Sequence, residues 1–240
     1  MEDWVKYAEA VMVQESDVDY RGLMKPSALL RYAEHMATRH SHSKGMGDDF
    51  FRANHLAYLL GKQALQFHRV PQKGEKLLLT TLPERSRRGT NKRILQVEDA
   101  AGSVIAHVDA RWILVDTETG RILRRPPEQL DNLWNPEIPY ELPQTIHKAE
   151  TLTSAGIWPA SYSRCDINGH INNACYLDIA CDALPLEVIQ QGPIRSAAVK
   201  YHREVPLGQE MEVFWGKTET GWYVMGRREG QASFELEYQW

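Results

Sequence analysis

The residues with the most capacity for chemistry lie in one short stretch, CDINGHINN, from Cys165 to Asn173. It holds an Asp, a His and three Asn, and a mostly apolar run, ACYLDIACDAL, follows at once. Folding alone accounts for part of it. Asp166 with Gly169 makes a turn, and Asn172 or Asn173 caps the helix that the apolar run predicts. Asn168 and His170 are left over. In an extended segment Asp166, Asn168 and His170, spaced two apart, project the same way. They then converge beside a helix N-terminus, where unpaired N–H groups and the positive dipole end suit a developing oxyanion. An Asp, an Asn, a His and such a helix end fit acyl transfer.

Glu204, in AVKYHREVPLG, is the fourth candidate. Strand alternation puts Lys200, His202 and Glu204 on one face, and Val199, Tyr201, Arg203 and Val205 on the other. A lone Glu on a strand is usually a solvated edge residue. Turned inward near a His, it can serve as a general base.

The elements that must position these residues occur twice. SDVDYRGLMKPSALLRYAEHMA from Ser16 aligns without a gap with SRCDINGHINNACYLDIACDAL from Ser163, pairing Asp19 with Asp166, Gly22 with Gly169 and Ala33 with Ala180. Downstream, FHRVPQKGEKL from Phe67 aligns with YHREVPLGQEM from Tyr201, pairing His68, Arg69 and Gly74 with His202, Arg203 and Gly208. Two matches in the same order indicate a duplicated unit. Each copy reads as a strand, a turn with Asp and Gly, an apolar helix of three or four turns, then several strands. In SFELEYQW, Phe234, Leu236 and Tyr238 share one face and Glu235, Glu237 and Gln239 the other. One helix followed by antiparallel strands predicts an α+β unit with the sheet wrapped around the helix. The units are assigned to 1–125 and 146–240. Residues 126–145, within a stretch holding five of the twelve prolines, form an extended linker between them. The copies differ where chemistry would sit: Arg21 and Leu23 stand in place of Asn168 and His170, and Val70 in place of Glu204. The chemistry therefore belongs to the second copy.

Composition bounds the class. The chain has 240 residues, 42% hydrophobic and 25% charged, with a net charge of −4. That argues against nucleic acid as the main partner. Three cysteines, Cys165, Cys175 and Cys181, give neither a disulfide framework nor zinc-site spacing, which fits a reduced, cytoplasmic protein. The start, MEDWVKYAEAVMVQ, does not read as a signal peptide, and no run of 18 apolar residues predicts a membrane span.

DINGHINNACYLDIACDALP followed by VKYHREVPLG resembles the acyl–acyl-carrier-protein thioesterases of plants and bacteria, which carry D-x-N-x-H-x-N-N-x-x-Y and then a strand of the form Y-R-R-E-C. HLAYLLGKQALQFHRVPQKGEKL and RILQVEDAAGSVIAHVDARWILVD look like the N-terminal half of that family, so the resemblance covers nearly the whole chain. It implies two tandem hotdog units, each a central helix wrapped by an antiparallel sheet. The implied activity is hydrolysis of the thioester joining a fatty acyl chain to acyl carrier protein, ending fatty acid synthesis, with no metal or cofactor. Asp166, Asn168 and His170 match the family's catalytic turn and Glu204 its acidic residue. The family's Cys after that Glu is here Val205, so no thiol nucleophile is assigned. The first unit would then lodge the acyl tail, with the helix PSALLRYAEHMA packing its core.

The run ERSRRGTNKR has five basic residues against one acid and is expected at an exposed hairpin end. Arg87, Arg88, Lys92 and Arg93 are its candidates for docking an acidic carrier protein. TRHSHSKGMGDDFF, Thr38 to Phe51, reads as a solvated loop after the first helix rather than a metal site. Two rival functions stand beside the first: an acyl-CoA thioesterase of the same fold, and a non-catalytic acyl-binding protein. A monomer and a homodimer both fit.

Overall fold

The computed structural model describes residues 5–131 and 133–240, and all of their side chains except those at 129 and 131. Strands β1 (Tyr7–Met12), β2 (Leu56–Phe67), β3 (Lys76–Pro83), β4 (Thr90–Glu98) and β5 (Val104–Asp116) precede β6 (Thr153–Pro159), β7 (Ser196–Tyr201), β8 (Glu210–Lys217), β9 (Trp222–Arg228) and β10 (Gln231–Gln239). They form one antiparallel sheet in the order β1-β3-β4-β5-β2-β7-β10-β9-β8-β6. Read from its two ends, this order gives the same pattern twice. The halves join where β2 pairs antiparallel with β7, from Lys62 opposite Lys200 to Gln66 opposite Ser196.

Helix α1 (Pro26–Ser43) and helix α4 (Cys175–Ala183) fill the interior, while α2 (Asp48–Ala53), α3 (Glu128–Asp131) and α5 (Leu186–Ile189) are short. Pro26 opens α1 at its first turn, and Leu29, Ala33, Met36 and His40 recur every three or four residues on its buried face. One apolar cluster takes in both helices and the strands around them, from Leu79 and Val108 in the first unit to Phe234, Leu236 and Tyr238 in the second. The helices are unequal. α1 runs on through TRHSHS, a segment expected as loop, because nothing breaks it before Gly45 at φ +78°. α4 spans only nine residues, since Leu184 precedes Pro185 and is held extended. They meet through Arg31, whose guanidinium lies 2.5 Å from Asp178.

The duplication extends to individual hydrogen bonds. Gly22 N–H donates to Asp19 C=O as Gly169 does to Asp166; Met24 donates to Pro71 as Ile171 does to Val205; Lys73 donates to Gly22 as Leu207 does to Gly169. Each apolar helix is thus entered through the same turn, clamped by the same loop after the strand.

The proline-rich connection is not a free linker. Holding α3 near its start, it runs as a strap over the outer face of the sheet, from the first unit to the second. Three buried carboxylates accept backbone N–H groups of the connection and of the residues just after it: Glu84 from Ile138 at 2.8 Å, Asp109 from Leu142 at 3.1 Å, and Glu237 from His147 at 2.8 Å. Beneath it, Leu142 and Ile146 pack on Ala64, Ala198, Tyr223 and Met225. Prolines forbid a regular helix or a central strand here, and side-chain carboxylates take the place of a ladder partner.

Candidate active site

The stretch from Cys165 to Ile171 is a closed turn, not the extended segment that its spacing predicts. Asp166 N–H donates to His170 C=O at 3.0 Å, and Gly169 N–H to Asp166 C=O at 3.0 Å. Gly169 sits at φ +76°, where a side chain would be strained. Asp166 Oδ1 accepts the Asn168 N–H at 2.9 Å, fixing the turn from within. Asp166 and His170 therefore face one another across the turn, and Asn168 is carried to its exposed tip with no side-chain hydrogen bond among the described residues.

Strand β7 ends at Tyr201, so the alternation expected through Glu204 does not hold. His202 turns to Glu235 instead, Nε2 to Oε2 at 2.9 Å. The loop that follows is bound to the turn, Ile171 N–H to Val205 C=O at 3.0 Å and Leu207 N–H to Gly169 C=O at 2.9 Å. This brings Glu204 Oε2 to 3.7 Å from His170 Nε2, with the Glu204 side chain 66% exposed. All four predicted residues, Asp166, Asn168, His170 and Glu204, border one cavity of about 1130 Å³.

Local hydrogen bonds fix the His170 ring and close part of the helix head. His170 Nδ1 lies 3.1 Å from the Ile171 carbonyl but 3.9 Å from Asp166 Oδ1. The backbone carbonyl, not Asp166, holds the proton on Nδ1 and leaves the Nε2 lone pair toward the cavity. The head of α4 is also less open than its sequence implies. Asn172 Oδ1 accepts the Ala174 N–H at 3.0 Å, and the Asn172 carbonyl accepts the Cys175 N–H at 2.9 Å. Those two amides are already satisfied, and the Asn168 side chain offers a further donor at the exposed tip.

The cavity wall is built from both units. Glu34, Thr38, Leu59 and Trp112 of the first unit face the turn. Asn172 Nδ2 stands 3.5 Å from Glu34 Oε2 and 3.4 Å from Asp166 Oδ2. Burial and the neighbouring Asp166 push the Glu34 carboxyl up to about 7. Glu34 carries no signal in the sequence, because it stands on a helix whose apolar stripe announces only packing. A second cavity, of about 460 Å³, shares Thr38, Tyr58, Trp112 and Asn168 and runs into the first unit beside Met46, Phe51 and Trp134.

That second cavity is more polar than the slot expected for a tail, because Lys92 and Arg93 point into the protein. Lys92 is buried, with Nζ 2.8 Å from Glu84 Oε2 and 2.7 Å from the Ile138 carbonyl. Arg93 Nη1 lies 3.3 Å from both His40 Nδ1 and Thr81 Oγ1, and its guanidinium covers the Trp134 ring. Burial lowers Arg93 to about 10, and burial with the Arg93 charge lowers His40 to about 4. The basic run is therefore not one exposed patch. Arg87 and Arg88 remain on the surface, and the exposed Arg124, which the run does not include, lies beside them against Gly89.

Two of the thiols, Cys165 and Cys175, border the same cavity as the array. Burial pushes Cys181 up to about 12 and raises Cys165 and Cys175, which pack against the core. Among the described residues no group of three or more His, Cys, Asp or Glu converges as a metal site, and no helix is long and apolar enough to cross a membrane.

The acyl-ACP thioesterase N-terminal domain family matches residues 5–133, and the acyl-ACP thioesterase C-terminal domain family matches residues 149–240. Oleoyl-acyl carrier protein thioesterase 2, a chloroplastic protein of Arabidopsis thaliana, is 23% identical over 227 residues, covering 85% of this chain and 61% of that protein. The chain thus spans about three-fifths of the length of the plant relative it matches. Among solved structures, an acyl-ACP thioesterase from Bacteroides thetaiotaomicron superposes with a TM-score of 0.87 at 22% identity, covering 98% of this chain and 97% of that one. The 12:0-ACP thioesterase from Umbellularia californica gives a TM-score of 0.84 at 15% identity, with the same coverage of each. These likenesses establish the double-hotdog fold.

Proposed function

The chain belongs to the acyl-ACP thioesterase family, and we propose that it hydrolyses fatty acyl thioesters of acyl carrier protein, releasing the free fatty acid and ending chain elongation. The observation that carries this reading is the approach of Glu204 to His170 above a cavity walled by both units. Glu204 and the Nε2 lone pair of His170 are both hydrogen-bond acceptors, and together they hold the two O–H bonds of one water. Its oxygen is then aimed at the thioester carbonyl carbon. As the C–O bond forms, Glu204 takes the proton; the Asn168 amide donates to the developing oxyanion. Collapse breaks the C–S bond, and the pantetheine sulfur leaves with the proton. Asp166 holds Asn168 in place through the turn rather than setting the His170 tautomer.

A route through an Asp166 anhydride is the rival mechanism. Single turnover in heavy-oxygen water separates them: label enters the fatty acid directly in the first and the Asp166 carboxylate in the second. The acyl tail would run into the first unit, and carrier-protein docking falls to Arg87, Arg88 and Arg124, which are exposed. Three free cysteines support a reducing compartment, and the cytoplasm is the location proposed.

The deciding experiment compares kcat/KM on matched acyl-carrier-protein and acyl-CoA thioesters of several chain lengths. Preference for the carrier-bound substrate is expected. Equal or better turnover of the CoA thioester would make this an acyl-CoA thioesterase, and no turnover of either would leave an acyl-binding protein.

A further inference from the structure

We infer that Glu34, on α1 of the first unit, is a positioning residue for the catalytic turn of the second unit, acting through Asn172 on Asp166 and effective only as the neutral carboxyl. The inference rests on the reading of that turn as catalytic.

The arrangement is unusual in how it shares one amide. Asn172 Oδ1 is committed to the head of α4, so its Nδ2 must serve both Glu34 and Asp166, at 3.5 and 3.4 Å. Glu34 Oε1 is buried and has no hydrogen-bond partner. A carboxylate oxygen in that position is costly when ionised, and less so when the group carries a proton. The Arg31 charge opposes this only in part. Arg31, one turn earlier on α1, is the neighbouring positive charge, but its guanidinium is taken by Asp178. The other groups that face Glu34 are Asp166 on the turn, Cys175 on α4 and Tyr201 on β7, none of them a cation.

Protonation of Glu34 therefore decides where the Asn172 amide goes. With Glu34 neutral, Asp166 is the one anion beside Nδ2 and draws it more strongly, as a charge-assisted acceptor does. With Glu34 ionised, the amide is divided between two anions that also repel one another. Asp166 Oδ1 holds the Asn168 N–H, so a shift of Asp166 moves the oxyanion donor. An isolated structural role would not link the proton on Glu34 to turnover.

The test uses the full chain, a short acyl-pantetheine thioester that needs no docking surface, and pH values from about 5 to 9. In the wild type, kcat should fall about tenfold as Glu34 ionises around pH 7. Glu34→Gln, a permanently neutral partner, should remove that limb and hold its kcat, while Glu34→Ala should lose about tenfold at every pH. Superimposable profiles for wild type and Glu34→Gln, or an unaffected Glu34→Ala, would overturn the inference. Thermal unfolding gives a reading free of substrate. Because the folded state binds this proton more tightly than the unfolded chain, stability should fall as pH rises from about 4.5 to 7, and Glu34→Gln should not share that fall. A folded protein that shows this titration yet turns over no thioester would refute the proposed function and leave the Glu34–Asn172 coupling standing; absence of the titration would refute the coupling.

Discussion

His170 and Glu204 meet because a loop, not a strand, carries the carboxylate to the imidazole. β7 stops at Tyr201, and the next residues are pinned to the turn by backbone bonds on either side of His170. The same clamp exists in the first unit, where Leu23 and Val70 occupy the equivalent positions. One scaffold thus holds an apolar pair in one copy and an acceptor pair in the other.

Glu204→Gln should lower kcat by about 10²- to 10⁴-fold, the range for loss of a general base. Its side chain is 66% exposed, so thermal unfolding should be unchanged. A matching loss of stability would point to a structural role.

Asn168→Ala should cost about 10²-fold in kcat with little change in KM, as expected for a donor that acts on the developing oxyanion. The side chain makes no contact that folding needs, so the melting temperature should hold. Single-turnover kinetics would place the loss in the chemical step.

For carrier docking, Arg88→Glu combined with Arg124→Glu should raise KM for carrier-bound substrate and leave a short pantetheine thioester unaffected. The difference should shrink as salt is added. Lys92→Glu should behave otherwise. It sets two acids together in a buried site beside Ile138, and the melting temperature should drop by about 10 °C.

Glu235 offers an acid-side prediction. It accepts from Lys148, Tyr223 and His202, and despite the opposing cost of burial these partners hold it down at about 2. A carboxyl depressed in the folded state stabilises above its unfolded value near 4.5, and that stability is lost as pH falls through 2. The pH-dependent part amounts to about 3 kcal/mol. Melting curves of wild type and Glu235→Gln should therefore converge between pH 5 and 2, and parallel curves would refute the assignment.

Much of the candidate site was legible because the duplication supplies its own control. Asn168, His170 and Glu204 stand out only against Arg21, Leu23 and Val70, which do the same folding work without them. The turn's closure was not legible, since a spacing of two says where side chains point only if the backbone is extended. Lys92 and Arg93 differ from the expected exposed patch because a count of charges is blind to direction: they lie on β4, whose faces are set by pairing with β3 and β5. Glu34 was hidden for a related reason. Its neighbours come from the other unit, and the polar side of α1 reads as solvent-facing until α4 and the turn are laid against it.

The strap has a consequence for how the chain can be divided. A backbone cut between β5 and α3 would leave the first fragment with the Glu84 and Asp109 carboxylates and the second with the Ile138 and Leu142 amides that fill them. The β2 and β7 edges would be left equally in need of one another. Such fragments carry complementary docking instructions, so the severed protein should reassemble on mixing as a two-chain protein, without a tether.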